Sequence, residues 1–309
     1  MNPPWLGIYL RGIAMGAADL VPGVSGGTIA LITGIYTRLV SAIANVGPRV
    51  MKLLLRGRVL EAWKAVDGQF LLALAAGIAT AVASLATILD WSLKHYPLPI
   101  WSAFSGLVLA SAVSLINENY RPWSIREWSL FLIGIIVAMF VGLTQAVQLP
   151  ITTWGIFIAG SVAVCAMILP GISGSFLLLL MGMYQPVISA IVEFEVSTLA
   201  LFGLGCGAGL LVFSRLLQRL LLVAEQPTMA TLFGFLAGSL IILWPWQVTV
   251  TSVLDRHGEM RPVQTLPVTP GHYAEQVADP MLLLSLLGFI VGIVVVRLLA
   301  VLARRQDDS

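Results

Sequence analysis

Serine, threonine and glycine gathered around a proline, twice in an otherwise apolar chain, are the residues best suited to chemistry. The first group reads Pro22-Gly23-Val24-Ser25-Gly26-Gly27-Thr28 and the second Pro170-Gly171-Ile172-Ser173-Gly174-Ser175-Phe176. Proline removes a backbone donor and glycine weakens a helix, so each group should interrupt one. Uncovered glycine N–H groups, the hydroxyls of Ser25, Thr28, Ser173 and Ser175, and the positive ends of helices starting at the breaks all favour an anion. Packing is the other reading, because small residues let helices approach closely.

Charges near the breaks sharpen the anion reading. Asp19 precedes the first break by one helical turn, and Met167 stands at the corresponding place before the second. Arg11 and Arg38 lie on the two arms around the first break, and Arg215 and Arg219 sit one turn apart on a later apolar segment. Charges within such segments are costly and point to function. Together these arginines can form a cationic mouth for a phosphate, which arginine grips with two parallel hydrogen bonds. Each can equally snorkel to the interface or anchor a cytoplasmic end. Asp19 can pair with an arginine or carry a coupling proton. The coupling ion, proton or sodium, stays open, and no cofactor is expected.

The elements that must position these groups are membrane helices. The chain is 58% hydrophobic and only 10% charged, with a mean hydropathy of +0.94, whereas soluble domains carry roughly 25% charged residues. Its apolar segments are continuous rather than alternating, which excludes an outer-membrane barrel and leaves an all-α integral membrane protein. The net charge of +2 and the lack of a basic face interleaved with aromatics give nucleic-acid binding no support. His95, His257 and His272 are isolated, and Cys165 and Cys206 sit far apart in apolar stretches, so no metal-ligand spacing exists. The start, Met1-Asn2-Pro3-Pro4-Trp5, lacks a basic n-region and cleavage site and reads as a retained cytoplasmic end.

Six segments are long enough to span, at about 20 residues each: Phe70 to Trp91, Ile100 to Ile116, Leu130 to Val147, Leu199 to Val223, Thr231 to Trp246 and Met281 to Leu302. Two further apolar regions, Ile8 to Ala44 and Trp154 to Ile191, are each cut by a break and read as re-entrant hairpins or as pairs of spans. Lysine and arginine orient the chain. Arg49, Lys52, Arg56, Arg58 and Lys64 mark a cytoplasmic linker, and Arg121, Arg126, Arg304 and Arg305 agree. The turn at Gln148 to Thr153, the acidic turn with Glu193 and Glu195, and the polar loop Gln247 to Asp279 fall outside. Glu118 reads as interfacial, as do Trp5, Trp91, Tyr96, Trp101, Trp123, Trp128, Trp244 and Trp246.

Three spans separate the broken regions, so the two enter from opposite sides. Setting Pro22 against Pro170 aligns Gly12/Gly160, Ala18/Ala166, Gly23/Gly171, Ser25/Ser173, Gly26/Gly174, Gly34/Gly182, Tyr36/Tyr184, Ser41/Ser189, Ala42/Ala190 and Ile43/Ile191, which with the prolines are eleven of the identities in this register. The expected architecture is therefore two inverted-topology repeats, each a broken or re-entrant hairpin plus three transmembrane helices. The first is 1–150, with hairpin 5–44 and basic linker 45–65. The second is 151–309, with hairpin 151–191 and outer polar loop 247–279.

The run Gly12-Ile-Ala-Met15-Gly16-Ala-Ala-Asp19-Leu-Val-Pro22-Gly23-Val-Ser25-Gly26-Gly27-Thr28, followed by Gly34-Ile-Tyr36, resembles the signature of the PopT-type polyprenyl-phosphate transporters of bacteria. Cys165-Ala-Met167-Ile-Leu-Pro170-Gly171-Ile-Ser173-Gly174-Ser175-Phe176, ending near Gly182-Met-Tyr184, is similar to the same family. The resemblance implies a flippase in the cytoplasmic membrane, with both termini inside. It would return undecaprenyl phosphate from the outer leaflet for reuse in cell-envelope assembly. Its site would be a midplane cavity of glycine N–H groups, hydroxyls and arginines, worked by alternating access, with the polyprenyl tail in lipid. On this reading Arg38→Ala or Gly26→Leu abolishes transport.

A carrier of a small soluble anion is the alternative. An intramembrane enzyme lacks a His/Asp/Ser constellation, and no enzymatic activity is expected. A structural protein would tolerate neutralising Arg11, Asp19 or Arg38. The residues do not settle oligomeric state.

Overall fold

The computed structural model describes residues 5–20, 25–117, 122–143, 149–254 and 260–307. Pro22, Gly23, Glu118 and Arg121 lie outside the described residues. Apolar runs without alternation fold as helices, and the described chain is mostly helical. In order these are α1 (Trp5–Asp19), α2 (Gly26–Ile32), α3 (Tyr36–Ala44), α4 (Pro48–Leu55), α5 (Val59–Ala65), α6 (Gly68–His95), α7 (Pro97–Asn117) and α8 (Ile125–Leu143). There follow α9 (Thr153–Ile168), α10 (Gly174–Leu180), α11 (Tyr184–Val192), α12 (Val196–Val223), α13 (Glu225–Gly238), α14 (Pro270–Gln276) and α15 (Leu282–Asp307).

Among the described residues, four helices are long and apolar enough to cross a membrane, namely α6, α7, α8 and α12. The bent pair α10 and α11 makes a fifth if counted as one span. The expected span at Thr231 to Trp246 is shorter than its hydropathy implies: α13 ends at Gly238, and a single 3-10 turn over Ser239–Ile241 follows.

Each broken region holds a second bend that the hydropathy pattern does not reveal. α2 gives way to α3 at Gly34 (φ 73°), and α10 to α11 at Gly182 (φ 67°). The hydrogen bonds match. Gly34 N–H donates to Leu31 and Ile35 N–H to Ala30, as Gly182 N–H donates to Leu179 and Met183 N–H to Leu178. This is the Schellman ending, in which a left-handed glycine closes the helix. Here it turns α10 by 111° into α11.

Glycine also sets which long helices meet. A Cβ on Gly12 would lie 2.3 Å from the Leu74 carbonyl, and one on Gly77 would lie 2.2 Å from that of Tyr9. The backbones of α1 and α6 therefore touch, as small residues permit in membrane interfaces. α9 and α12 meet in the same way, with Gly160 at 2.4 Å from Phe202 O and Gly205 at 2.2 Å from Phe157 O. Gly134 closes on Thr231 O at 2.4 Å and Gly234 on Phe131 O at 2.2 Å, joining α8 to α13. Gly292 closes on Ala103 O at 2.0 Å and Gly106 on Phe289 O at 2.1 Å, joining α15 to α7. The spacing recurs along these long helices: Leu74 to Gly77 matches Phe202 to Gly205, Ala103 to Gly106 matches Thr231 to Gly234, and Phe131 to Gly134 matches Phe289 to Gly292.

The polar stretch 247–279, expected as a loop, contains a β-hairpin. β1 (Gln247–Leu254) pairs antiparallel with β2 (Met260–Pro267), with irregularities around Thr251. Trp244 and Trp246 tie its base down, donating to the carbonyls of Val268 (2.8 Å) and Pro280 (3.0 Å). The apolar core lies elsewhere, around Tyr36, Val40, Phe70, Val108, Phe233 and Leu236.

Candidate functional site

Each break ends one helix and caps the next. α1 stops at Asp19 and α2 starts after Ser25, whose hydroxyl accepts the Gly27 N–H at 3.1 Å. The Asp19 carboxylate reaches forward and accepts the Gly26 N–H at 2.6 Å. In the second break Pro170 is fully buried, Gly171 takes φ 80°, and Ser173 caps α10. A serine N-cap answers N–H groups that a helix start leaves open.

The two breaks, far apart in sequence, interlock. The Ser25 hydroxyl donates to the Met167 carbonyl at 2.9 Å, and the Gly171 N–H donates to Thr28 Oγ1 at 2.9 Å. A Cβ on Gly27 would fall 2.4 Å from the Ile168 carbonyl. Beside this contact lies a cavity of about 110 Å³, lined among the described residues by Asp19, Ser25, Met167, Ser173, Gly174 and Ser175. That is well above the roughly 10–15 Å³ that one water requires.

The cavity is asymmetric in charge. A Cβ on Gly26 would meet Asp19 Oδ2 at 2.6 Å, and one on Gly174 would meet Met167 Cγ at 2.6 Å. A carboxylate thus occupies over α2 the place a thioether occupies over α10. Ser173 and Ser175 share a 2.9 Å hydrogen bond. One hydroxyl donates to the other, so the second hydroxyl hydrogen is available to a ligand oxygen.

The structure gathers Asp19, Ser25, Gly26, Gly27, Thr28, Pro170, Gly171, Ser173, Gly174 and Ser175 around this junction, and it places the arginines elsewhere. Arg38 Nε donates to Asp67 at 2.6 Å, and its guanidinium lies 4.4 Å from the centre of the buried Phe70 ring. Arg215 donates to the carbonyls of Val46 (2.6 Å) and Ala44 (3.4 Å), at the carboxy-terminal end of α3. Cations suit that end of a helix. Arg219 is exposed one turn further along α12. Arg11 sits eight residues before Asp19 on α1, about 12 Å along the axis.

Two participants carry no signal of their own in the sequence. Met167 offers its backbone carbonyl, and the alignment of the two breaks is what marks its position. Asp67 lies just past the basic linker, next to Gly68 at the start of α6, and only folding brings it to Arg38.

Residues 15–261 match the model of the VCA0040-like family, described as undecaprenyl phosphate translocase-like. The chain belongs to this family. It is similar to a polyprenyl-phosphate transporter of Vibrio cholerae, 39% identical over 277 residues that cover 89% of each chain. A polyprenyl-phosphate transporter of Staphylococcus aureus is 33% identical over 258 residues, covering 78% of this chain and 86% of the relative. No solved structure matches significantly. The resemblance drawn from the two break motifs agrees with these matches.

Proposed function

We propose that this protein carries a polyprenyl phosphate, undecaprenyl phosphate in a bacterial cytoplasmic membrane, from the outer to the inner leaflet, so that the carrier lipid is reused. The phosphate passes through the cavity between the two breaks while the tail stays in lipid. The observation that carries this reading is the polar cavity built jointly by the two halves, in a chain whose relatives are named for this substrate. An anion needs such a cavity because crossing hydrocarbon unpaired is prohibitively costly. The binding residues are Ser173 and Ser175, whose shared hydrogen bond leaves one hydroxyl hydrogen for the phosphate, with Ser25 and Gly174 lining the cavity beside them. The cavity-lining carboxylate, Asp19, carries the coupling proton, because two anions in one small cavity repel unless one is protonated.

Alternating access comes from two inverted repeats, 1–150 and 151–309. The recurrence of glycine contacts at matching spacings supports this reading. So does helix direction. Pro99 faces Gly288 and Ala103 faces Gly292, so α7 and α15 run parallel, and the same reasoning from Phe131/Gly234 and Ile135/Gly238 makes α8 and α13 parallel. In this reading α12 runs against α6, with α12 turning into α13 at a single residue, Ala224, and α6 into α7 at Tyr96. On this reading the broken regions enter from opposite faces, and the Lys/Arg-rich linker favours the cytoplasmic side for the first and for both termini.

The test uses liposomes containing undecaprenyl phosphate, with and without the purified protein. An impermeant probe titrates headgroups in the outer leaflet over time. Protein-dependent exchange supports the proposal. If the headgroups do not exchange, with or without a pH gradient, while labelled inorganic phosphate is taken up, the protein is a soluble-anion carrier instead.

A further inference from the structure

The segment joining the first broken region to α6 folds as two short helices with three distinct faces. On α4, Val50 is buried against the protein at 8% exposure. Met51, Leu54 and Leu55 lie together on a second face and are exposed, Leu55 by 82%. Arg49, Lys52 and Arg56, spaced three and four residues apart, share the third and are exposed. α5 repeats the plan, with Ala62 buried, Val59, Leu60 and Trp63 exposed, and Glu61 and Lys64 on the polar side. Gly57 (φ 70°) turns one helix into the other.

Both ends of this pair are fixed. At its start the Arg215 guanidinium lies against Gly47, where a Cβ would stand 2.6 Å from Nη2. At its end Asp67 holds Arg38, and the Trp63 ring lies over Gly68, 2.3 Å from where a Cβ would be. The exposed apolar row is therefore held outward, and so large a patch does not stay in water without purpose.

We propose that α4 and α5 lie in the membrane–water interface and bind anionic phospholipid headgroups of the leaflet they face. Met51, Leu54, Leu55, Val59, Leu60 and Trp63 enter the acyl boundary, while Arg49, Lys52 and Arg56 take the headgroup phosphates. An apolar row beside a Lys/Arg row is the signature of an interfacial helix. Charge selects the partner. The pair carries five basic residues, Arg49, Lys52, Arg56, Arg58 and Lys64, against the single acid Glu61, which Arg58 engages at 2.5 Å. A second copy of this segment would bring like charges together, whereas an anionic lipid surface neutralises them. The inference needs only a membrane-embedded chain and is independent of which substrate the cavity carries.

The test uses the full-length protein with Cys165 and Cys206 replaced by alanine, in vesicles of phosphatidylcholine with and without phosphatidylglycerol. A nitroxide is attached in turn at Leu55→Cys, Leu60→Cys and Lys52→Cys. Oxygen should relax the first two more than an aqueous nickel chelate does, and the reverse should hold at Lys52→Cys. Equal aqueous access at all three sites overturns the proposal. Protection from both relaxants at Leu55→Cys also overturns it, since that indicates a protein partner. Selectivity is read separately, as the Trp63-dependent part of quenching by brominated phosphatidylglycerol against brominated phosphatidylcholine, with Trp63→Phe as the reference. Phosphatidylglycerol should quench more strongly, with about fivefold of the preference lost per charge removed in Arg49→Gln, Lys52→Gln and Arg56→Gln. No preference in the unmutated protein overturns the anionic assignment.

Discussion

Thr28 Oγ1 accepts the Gly171 N–H at 2.9 Å, with the threonine only 1% exposed. This bond ties the two breaks together away from solvent. Thr28→Val keeps the shape and removes the acceptor, leaving a buried N–H without a partner at a cost of about 1–3 kcal/mol. Thermal unfolding in detergent should show the loss for Thr28→Val, with Thr28→Ser largely restoring stability.

Gly34 and Gly182 hold matching left-handed turns, and a Cβ on Gly34 would meet nothing within 4 Å. Gly34→Ala therefore strains the backbone without a clash and should lower stability by about 1 kcal/mol. The same assay reads it, and a stability gain would show that the turn relaxes to another geometry.

Arg38 bonds Asp67 and stacks over Phe70 rather than lining the cavity. Its ion pair is partly exposed, with side-chain exposures of 25% and 37%. Such a pair is worth about 0.2–1 kcal/mol, and the ring contact adds about as much. Arg38→Ala should thus lower stability by about 1 kcal/mol while leaving lipid-phosphate affinity unchanged in the correctly inserted fraction. Loss of affinity at full stability would instead bring Arg38 to the substrate.

Asp19 accepts the Gly26 N–H and faces the cavity. Asparagine keeps an acceptor oxygen there but binds no proton at ordinary pH. Asp19→Asn should retain headgroup exchange at equal pH and lose any acceleration by a pH gradient. Gradient acceleration equal to that of the unmutated protein would remove Asp19 from coupling.

The break motifs and the register between them were legible because proline, glycine and serine each impose a local backbone requirement. That the two breaks meet, with Ser25 against Met167, does not follow from the register and emerges only on folding. The same holds for arginine: its long side chain finds a partner only after folding. Neither Asp67 beside Arg38 nor the α3 carbonyls beneath Arg215 follow from spacing. The second bends at Gly34 and Gly182 stand among the aligned identities, yet hydropathy reads straight through them because both flanks are apolar. The hairpin of β1 and β2 escapes a hydropathy reading because its strands, one opening on the alternating run Gln247-Val-Thr-Val-Thr, are far too short to span and lie outside the long apolar segments.

The most direct test of passage through the cavity is headgroup exchange by Ser175→Leu. Ser175 lines the cavity and is exposed, so leucine there narrows the cavity without displacing backbone. The substitution also removes a hydroxyl proposed to bond the anion, an interaction that would be worth about 1.5–3 kcal/mol. Exchange should fall by about tenfold or more in protein that inserts and melts as the unmutated chain does. Unchanged exchange in such protein would contradict passage of the phosphate between the two breaks.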